Sequence, residues 1–252
     1  MNVRSMKEKR RVVLVNYINA KPFAEGLSSA VGAEHFSVSL QNPAQCALDF
    51  ADGKADIALV PVGALSDLKD FNIITDFCIG CDGEVRTVAL FSHLPISDCR
   101  RLLLDNHSRT SFLLSRVILE QSMHIQLPWQ QIDVQTFQHR EDDLILMIGD
   151  KVFEQETKFT YHLDLGATWK EWTGLPFVFA VWIARKHILA EEIQLLNSIL
   201  AQGMDKLDDI IRNENHGNVV LSEYYKRNIS YHMDERKRQA LALFQDRAGK
   251  LL

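Results

Sequence analysis

Val12-Val13-Leu14-Val15-Asn16-Tyr17-Ile18-Asn19-Ala20-Lys21-Pro22 decides how the rest of the chain is read. Four consecutive apolar residues, three of them β-branched, leave no face for water, so they fit a strand covered on both sides. Asn16 and Asn19 end the run. Lys21-Pro22 then opens a helix over 20–30, because proline has no N–H to lose in a first turn. A buried strand, a polar turn and a helix in succession make the unit from which α/β proteins are built.

Working outward, residues 36–40 alternate as a strand. Asn42-Pro43 supplies an N-cap and a first-turn proline for a helix to about residue 51, closed by Asp52-Gly53. Asp56-Ile57-Ala58-Leu59-Val60-Pro61 reads as the next buried strand. The pattern recurs with Leu102-Leu103-Leu104-Asp105, a helix over 111–123, a strand over 144–148 closed by Gly149-Asp150, and a strand over 177–182. Residues 190–252 read as helical throughout. Two α/β stretches with a late helical return predict two lobes, a discontinuous lobe I (1–90 plus 182–252) and lobe II (91–181), with chain crossings near Leu90 and Val181. Ligands of such folds sit in the crevice at the carboxyl ends of the strands. Three strand ends here carry small polar or turn residues suited to a small anion: 16–19, 106–111 and 149–150.

Composition narrows the class. The 252 residues are 46% apolar and 24% charged, the balance of an ordinary globular protein rather than a disordered or disulfide-stapled one. With 28 Lys+Arg against 33 Asp+Glu, the net charge of -5 gives no basic excess for nucleic acid. The longest nearly unbroken apolar stretch, 175–184, contains Pro176 and falls short of the ~20 residues of a spanning helix, so no membrane partner is expected. The basic leader 1–11 precedes an apolar run broken at Asn16, with no small-residue cleavage site; it reads as a solvated tail and the expected location is cytoplasmic.

Cys78-Ile79-Gly80-Cys81 is the one close cysteine pair among four cysteines. A redox dithiol wants a helix start directly behind it, to lower the thiolate pKa. Here Asp82-Gly83 makes a turn and Val85-Arg86-Thr87-Val88-Ala89-Leu90 runs extended. A zinc site needs a second ligand pair, and no second CxxC or HxxxH exists. Reduced buried thiols are expected, with no metal and no cofactor.

Asp105-Asn106-His107-Ser108-Arg109-Thr110-Ser111 is the strongest local feature. A helix N-terminus offers free N–H groups and the positive end of a dipole to carboxylates or phosphates. A plain N-cap needs one hydroxyl; three hydroxyls and an arginine point to an anion site. No Gly-rich cradle with a lysine supports a nucleotide. Asn19 serves equally as a turn residue or a site residue, and Gly149-Asp150 as a structural turn or a binding one; the residues alone leave both open. No GxSxG motif or metal-spaced histidine pair occurs.

Taken together, these segments resemble the chorismate dehydratase family of the futalosine route to menaquinone, over nearly the whole chain. The likeness is carried by residues 15–22, Ala58-Leu59-Val60-Pro61-Val62, Val85-Arg86-Thr87-Val88, residues 104–111, Ile148-Gly149-Asp150, residues 164–169, and above all Trp172-Thr173-Gly174-Leu175-Pro176-Phe177-Val178-Phe179-Ala180-Val181-Trp182. The resemblance implies a type 2 periplasmic-binding-protein-like fold with a central ligand cleft. It implies conversion of chorismate, a small-molecule partner, to 3-[(1-carboxyvinyl)oxy]benzoate and water, with Asn19 as the catalytic residue. Its substrate-binding hydroxyls fall on Thr87, Ser108, Thr110 and Ser111; the residues themselves add Arg109, Gly149 and Asp150 as expected substrate-binding positions, with Arg109 either helping there or pointing to solvent. In the family's Gly-Pro-Val-x-Ser pattern this chain has Glu84 for the proline and Thr87 for the serine, and Cys81 stands where a small polar residue is more familiar. An amide is no general base near neutral pH, so the substrate's own enolpyruvyl carboxylate is the expected proton acceptor, with Asp150 the other candidate. The chief rival is a small-anion binding protein of the same fold without catalysis. A transcription-factor effector half and another enzyme of the same route fit less well.

Overall fold

The apolar runs become the inner strands of two separate sheets. The computed structural model describes residues 8–105, 109–132, 139–149, 152–215 and 219–251. The chain begins with β1 (Arg10–Val15), β2 (Phe36–Gln41), β3 (Ile57–Pro61) and β4 (Phe71–Cys81). It then lays down β5 (Val88–Ser92), β6 (Arg101–Asp105), β7 (Trp129–Ile132), β8 (Asp143–Ile148) and β9 (Tyr161–Asp164). Finally it returns through β10 (Phe177–Arg185) and β11 (Ser230–His232). The first sheet has the order β11-β4-β10-β3-β1-β2 and the second β7-β6-β8-β5-β9. In the first, β1 is parallel to β2 and β3, and β10 is antiparallel to β3 and β4. In the second, β6 is parallel to β7 and β8, and β5 is antiparallel to β8 and β9.

The chain therefore changes sheet in the loop 82–87 and returns through 174–176. Leu90 and Val181, near which the crossings are expected, lie inside β5 and β10, a few residues beyond those two loops. Residues 190–252 are not helical throughout. A π-helical turn, Tyr224–Asn228, and β11 interrupt the helices, and β11 forms because the edge of β4 offers it a ladder. The helix expected over 20–30 is divided into a 3-10 turn, Ile18–Ala20, a helix Lys21–Leu27, and a second helix Ala30–His35. Ser29 starts that second helix by accepting the Gly32 N–H at 3.1 Å. Asn42 caps its helix as expected, accepting the Gln45 N–H at 2.9 Å.

Each sheet is tied at the amino ends of two parallel strands by one arginine and one aspartate. Arg11 of β1 forks onto Asp56, just ahead of β3, at 3.1 and 2.7 Å, and its own N–H adds a bond at 2.9 Å. Arg101 of β6 forks onto Asp143 of β8 at 2.9 Å twice, and the Arg140 N–H adds one at 2.7 Å. Burial alone would raise both carboxyl pKa values. The arginine and N–H bonds outweigh it and hold both below the ordinary carboxylate range. Among the described residues, no helix is long and apolar enough to cross a membrane.

Candidate active site

Val15, Pro61 and Ile148, the last residues of β1, β3 and β8, converge on one partly open cavity between the two sheets, with about 580 Å³ of space including the solvent at its mouth. Apolar walls from Ile79, Val88 and Phe179 enclose it, and Tyr17, Asn19, Thr87, Thr110 and Ser111 supply its polar groups. None of the described lining residues carries a formal charge.

Asn19 sits in the 3-10 turn that follows β1. Its Nδ2 donates to the Tyr224 phenol oxygen at 3.3 Å, while its Oδ1 is enclosed and has no hydrogen-bond partner in the protein. Thr87, buried, brings its Oγ1 to 3.1 Å from the same phenol oxygen. Asp164 shapes the loop that carries Thr87: its carboxylate accepts the N–H groups of Val85 at 3.1 Å and Arg86 at 2.6 Å while capping its own helix through Ala167 at 2.8 Å. Burial pushes the Asp164 carboxyl pKa up in spite of those three donors. The Thr87 carbonyl accepts the Gly149 N–H at 2.9 Å. Gly149 has φ +74, a left-handed backbone that glycine adopts without strain.

On the opposite wall, Thr110 and Ser111 open the helix Arg109–Arg116 and are both buried. The Thr110 hydroxyl is already engaged: it accepts the Gly63 N–H at 3.0 Å and donates to the Phe179 carbonyl at 3.3 Å. Gly63 permits this approach, since a Cβ there would lie 2.8 Å from the Thr110 nitrogen. Arg109 forms an ion pair with Asp67 at the surface and is not among the residues lining the cavity. Of the expected site residues, the fold thus brings Asn19, Thr87, Thr110, Ser111 and Gly149 to one cavity and turns Arg109 outward. Ser108 and Asp150 lie outside the described residues.

Reading the sequence missed the π-helical turn. Tyr224 reaches Asn19 and Thr87, the Tyr225 hydroxyl donates to the Ile18 carbonyl at 2.7 Å, and Asn228 Nδ2 donates to Glu84 at its carbonyl (3.1 Å) and Oε2 (3.3 Å). Two adjacent tyrosines inside a charged stretch were the only signal. The cysteine pair lies in β4. Cys78 Sγ donates to the Ser230 carbonyl at 3.9 Å, and Cys81 Sγ lies where a Cβ on Gly166 would come within 2.7 Å. Both are free thiols, and burial pushes both pKa values up, that of Cys78 to about 12. Among the described residues no group of three His, Cys, Asp or Glu side chains could hold a metal ion.

A solved protein of Archaeoglobus fulgidus matches this chain with a TM-score of 0.72 at 15% identity, covering 98% of both chains. A Candida albicans protein described as exhibiting the generic periplasmic binding protein fold matches with a TM-score of 0.69 at 8% identity, covering 98% of this chain and 91% of that one. The architecture is of that periplasmic-binding-protein-like kind. In sequence, the chorismate dehydratase of Thermus thermophilus is 25% identical over 267 residues, covering 94% of each protein. A family model described as menaquinone biosynthesis matches residues 11–250. From the first buried strand to the last helix, the chain belongs to the menaquinone biosynthesis family.

Proposed function

We propose that this protein is a chorismate dehydratase, a hydro-lyase that forms 3-[(1-carboxyvinyl)oxy]benzoate and water at the head of the futalosine route. The observation that carries the reading is the neutral, donor-bearing cavity at the strand ends, in a chain of this family. In this reading the two sheets act as two lobes holding the substrate between them.

Chorismate must lose its ring C3 hydrogen and its C4 hydroxyl. Three conjugated ring double bonds then remain, so the product is aromatic and the reaction runs downhill. Removing the C3 proton sends charge through the ring double bond towards the C1 carboxylate. The first turn of Arg109–Arg116, with its backbone N–H groups and Ser111, is suited to hold that carboxylate where charge develops. Apolar walls make each such donor stronger than it would be in water. In this reading Asn19 and Thr87, which line the other wall, bind the C4 hydroxyl that departs.

The proton acceptor is the substrate's own enolpyruvyl carboxylate. The C3–H electrons form the new ring bond, the C4–O bond breaks, and the departing hydroxide takes the proton that the enolpyruvyl carboxylate has accepted, leaving as water. An inactive Asp150→Asn variant that still binds chorismate would assign the acceptor to Asp150 instead.

The deciding experiment mixes the purified protein with chorismate, with and without a chelator. Appearance of the aromatic enolpyruvyl ether at equal rates in both arms supports the reading. Tight retention of chorismate without turnover would make the protein a binding module of the same fold.

A further inference from the structure

We infer that Tyr224 is a positioning residue of this site, acting through Asn19 and Thr87; the inference rests on the functional reading above. Tyr224 is 1% exposed, and its phenol oxygen lies between the Asn19 amide at 3.3 Å and the Thr87 hydroxyl at 3.1 Å. The three residues come from the turn after β1, the loop before β5 and the π-helical turn Tyr224–Asn228, which the sequence separates by up to 205 positions.

When the phenol gives its proton to Thr87 Oγ1 it can only accept from Asn19, which turns the amide Nδ2 towards it. With its nitrogen on the phenol, its Oδ1 is an enclosed acceptor without a hydrogen-bond partner, in a residue that lines the cavity. The phenol also has a single proton. When that proton goes to Thr87 Oγ1, the threonine keeps its own proton to donate into the cavity. One buried hydroxyl thereby orients both the Asn19 amide and the Thr87 hydroxyl, the latter as a donor to an oxygen that departs with the C–O electron pair.

The turn that carries Tyr224 is itself anchored to the same two loops, by Tyr225 on the Ile18 carbonyl and Asn228 on Glu84. Such π-helical turns occur often at functional sites, where the extra residue re-aims side chains. Glu84, the departure from the family's proline, is one of the groups this turn holds.

The test is a mutant cycle on chorismate turnover. Tyr224→Phe is expected to lower kcat about tenfold, the effect of one lost hydrogen bond, with KM changed less than about threefold. In Asn19→Ala and Thr87→Val backgrounds the tenfold factor should shrink, because each has already lost a link to the phenol. A factor of undiminished size in both backgrounds would mean that Tyr224 acts only through packing, and would overturn the inference. If Tyr224→Phe does not fold, 3-fluorotyrosine at position 224 keeps ring and hydroxyl while strengthening the phenol as a donor. It should then change kcat at constant melting temperature, and an unchanged kcat would overturn the inference. Wild-type protein that does not convert chorismate would end the functional reading and this inference with it. Conversion with a fully active Tyr224→Phe would end only the inference.

Discussion

The two ends of the strands are built from different chemistry. At the amino ends each sheet holds an arginine forked onto an aspartate, Arg11 on Asp56 and Arg101 on Asp143. At the carboxyl ends, the described residues around the cavity offer only neutral donors and acceptors. A full charge placed beside the cavity would bind a ground-state anion as readily as a developing one. Neutral groups aimed at particular atoms discriminate better between the two. The charged end should therefore govern stability and the neutral end turnover, and substitutions at each end can break that division.

The largest effect is expected at the charged end. Asp143 is almost wholly buried, so Asp143→Ala takes the carboxylate away from the Arg101 guanidinium, which is itself three-quarters buried, and from the Arg140 N–H. A loss of about 3 kcal/mol follows, a fall in melting temperature of roughly 6–12 °C, with kcat of the folded protein unchanged. Asp56→Ala should cost less, because Arg11 is half exposed and water replaces the lost bonds. Both carboxyls have depressed pKa values when folded, so the folded state binds fewer protons than the unfolded one. The stability they contribute is complete above the unfolded value of about 3.9 and is lost as pH falls through the folded value. Thermal scans at descending pH should show this loss below about pH 4, and Asp143→Asn should flatten it.

Asn19→Ala tests the neutral end. With the substrate's leaving group deprived of its amide, turnover should fall about 100-fold, or about 2.7 kcal/mol of transition-state binding, while the melting temperature stays within about 2 °C. Undiminished turnover would remove Asn19 from the mechanism and would erase the contrast between the two ends.

How far the sequence reveals this division depends on range along the chain. Val12–Val15 and 57–61 announce buried strands because each is an unbroken apolar run. Asn42-Pro43 announces a helix because the cap and its target are three residues apart. Thr110 and Ser111 were legible as a helix start for the same local reason. Arg109 was legible only as a cation near an anion site. Its outward turn depends on Asp67, 42 residues away, which no local pattern announces. Tyr224 is further still from its partners, and β11 exists only because β4 stands beside it. The edge strands β7 and β9 are four residues each and partly polar, so alternation had too little length to declare itself.

Thr110 and Ser111 sharpen the comparison within the neutral end, since the Thr110 hydroxyl ties two backbone groups together while Ser111 is proposed to meet the substrate carboxylate. Thr110→Val leaves the Gly63 N–H and the Phe179 carbonyl unpaired in a buried contact between the sheets. A stability loss of about 2 kcal/mol is expected, roughly 4–8 °C. Ser111→Ala should raise KM for chorismate several-fold with a smaller shift in melting temperature. Equal thermal losses in the two variants would mean that both hydroxyls are structural.

Arg109→Gln is expected to do least, although the sequence alone allows it to help hold the substrate as readily as to face solvent. Its pair with Asp67 is solvent-exposed on both sides, 40% and 54% by side chain, where water screens the attraction and each long side chain loses rotamer freedom to hold it. Such pairs contribute about 0–1 kcal/mol. The melting temperature should move by less than about 3 °C, and kcat/KM by less than about threefold. Salt provides an independent reading of the same question. If Arg109 only pairs with Asp67, raising the ionic strength should affect wild type and variant equally. If it met the substrate dianion directly, KM of the wild type would rise with salt and that of Arg109→Gln would not.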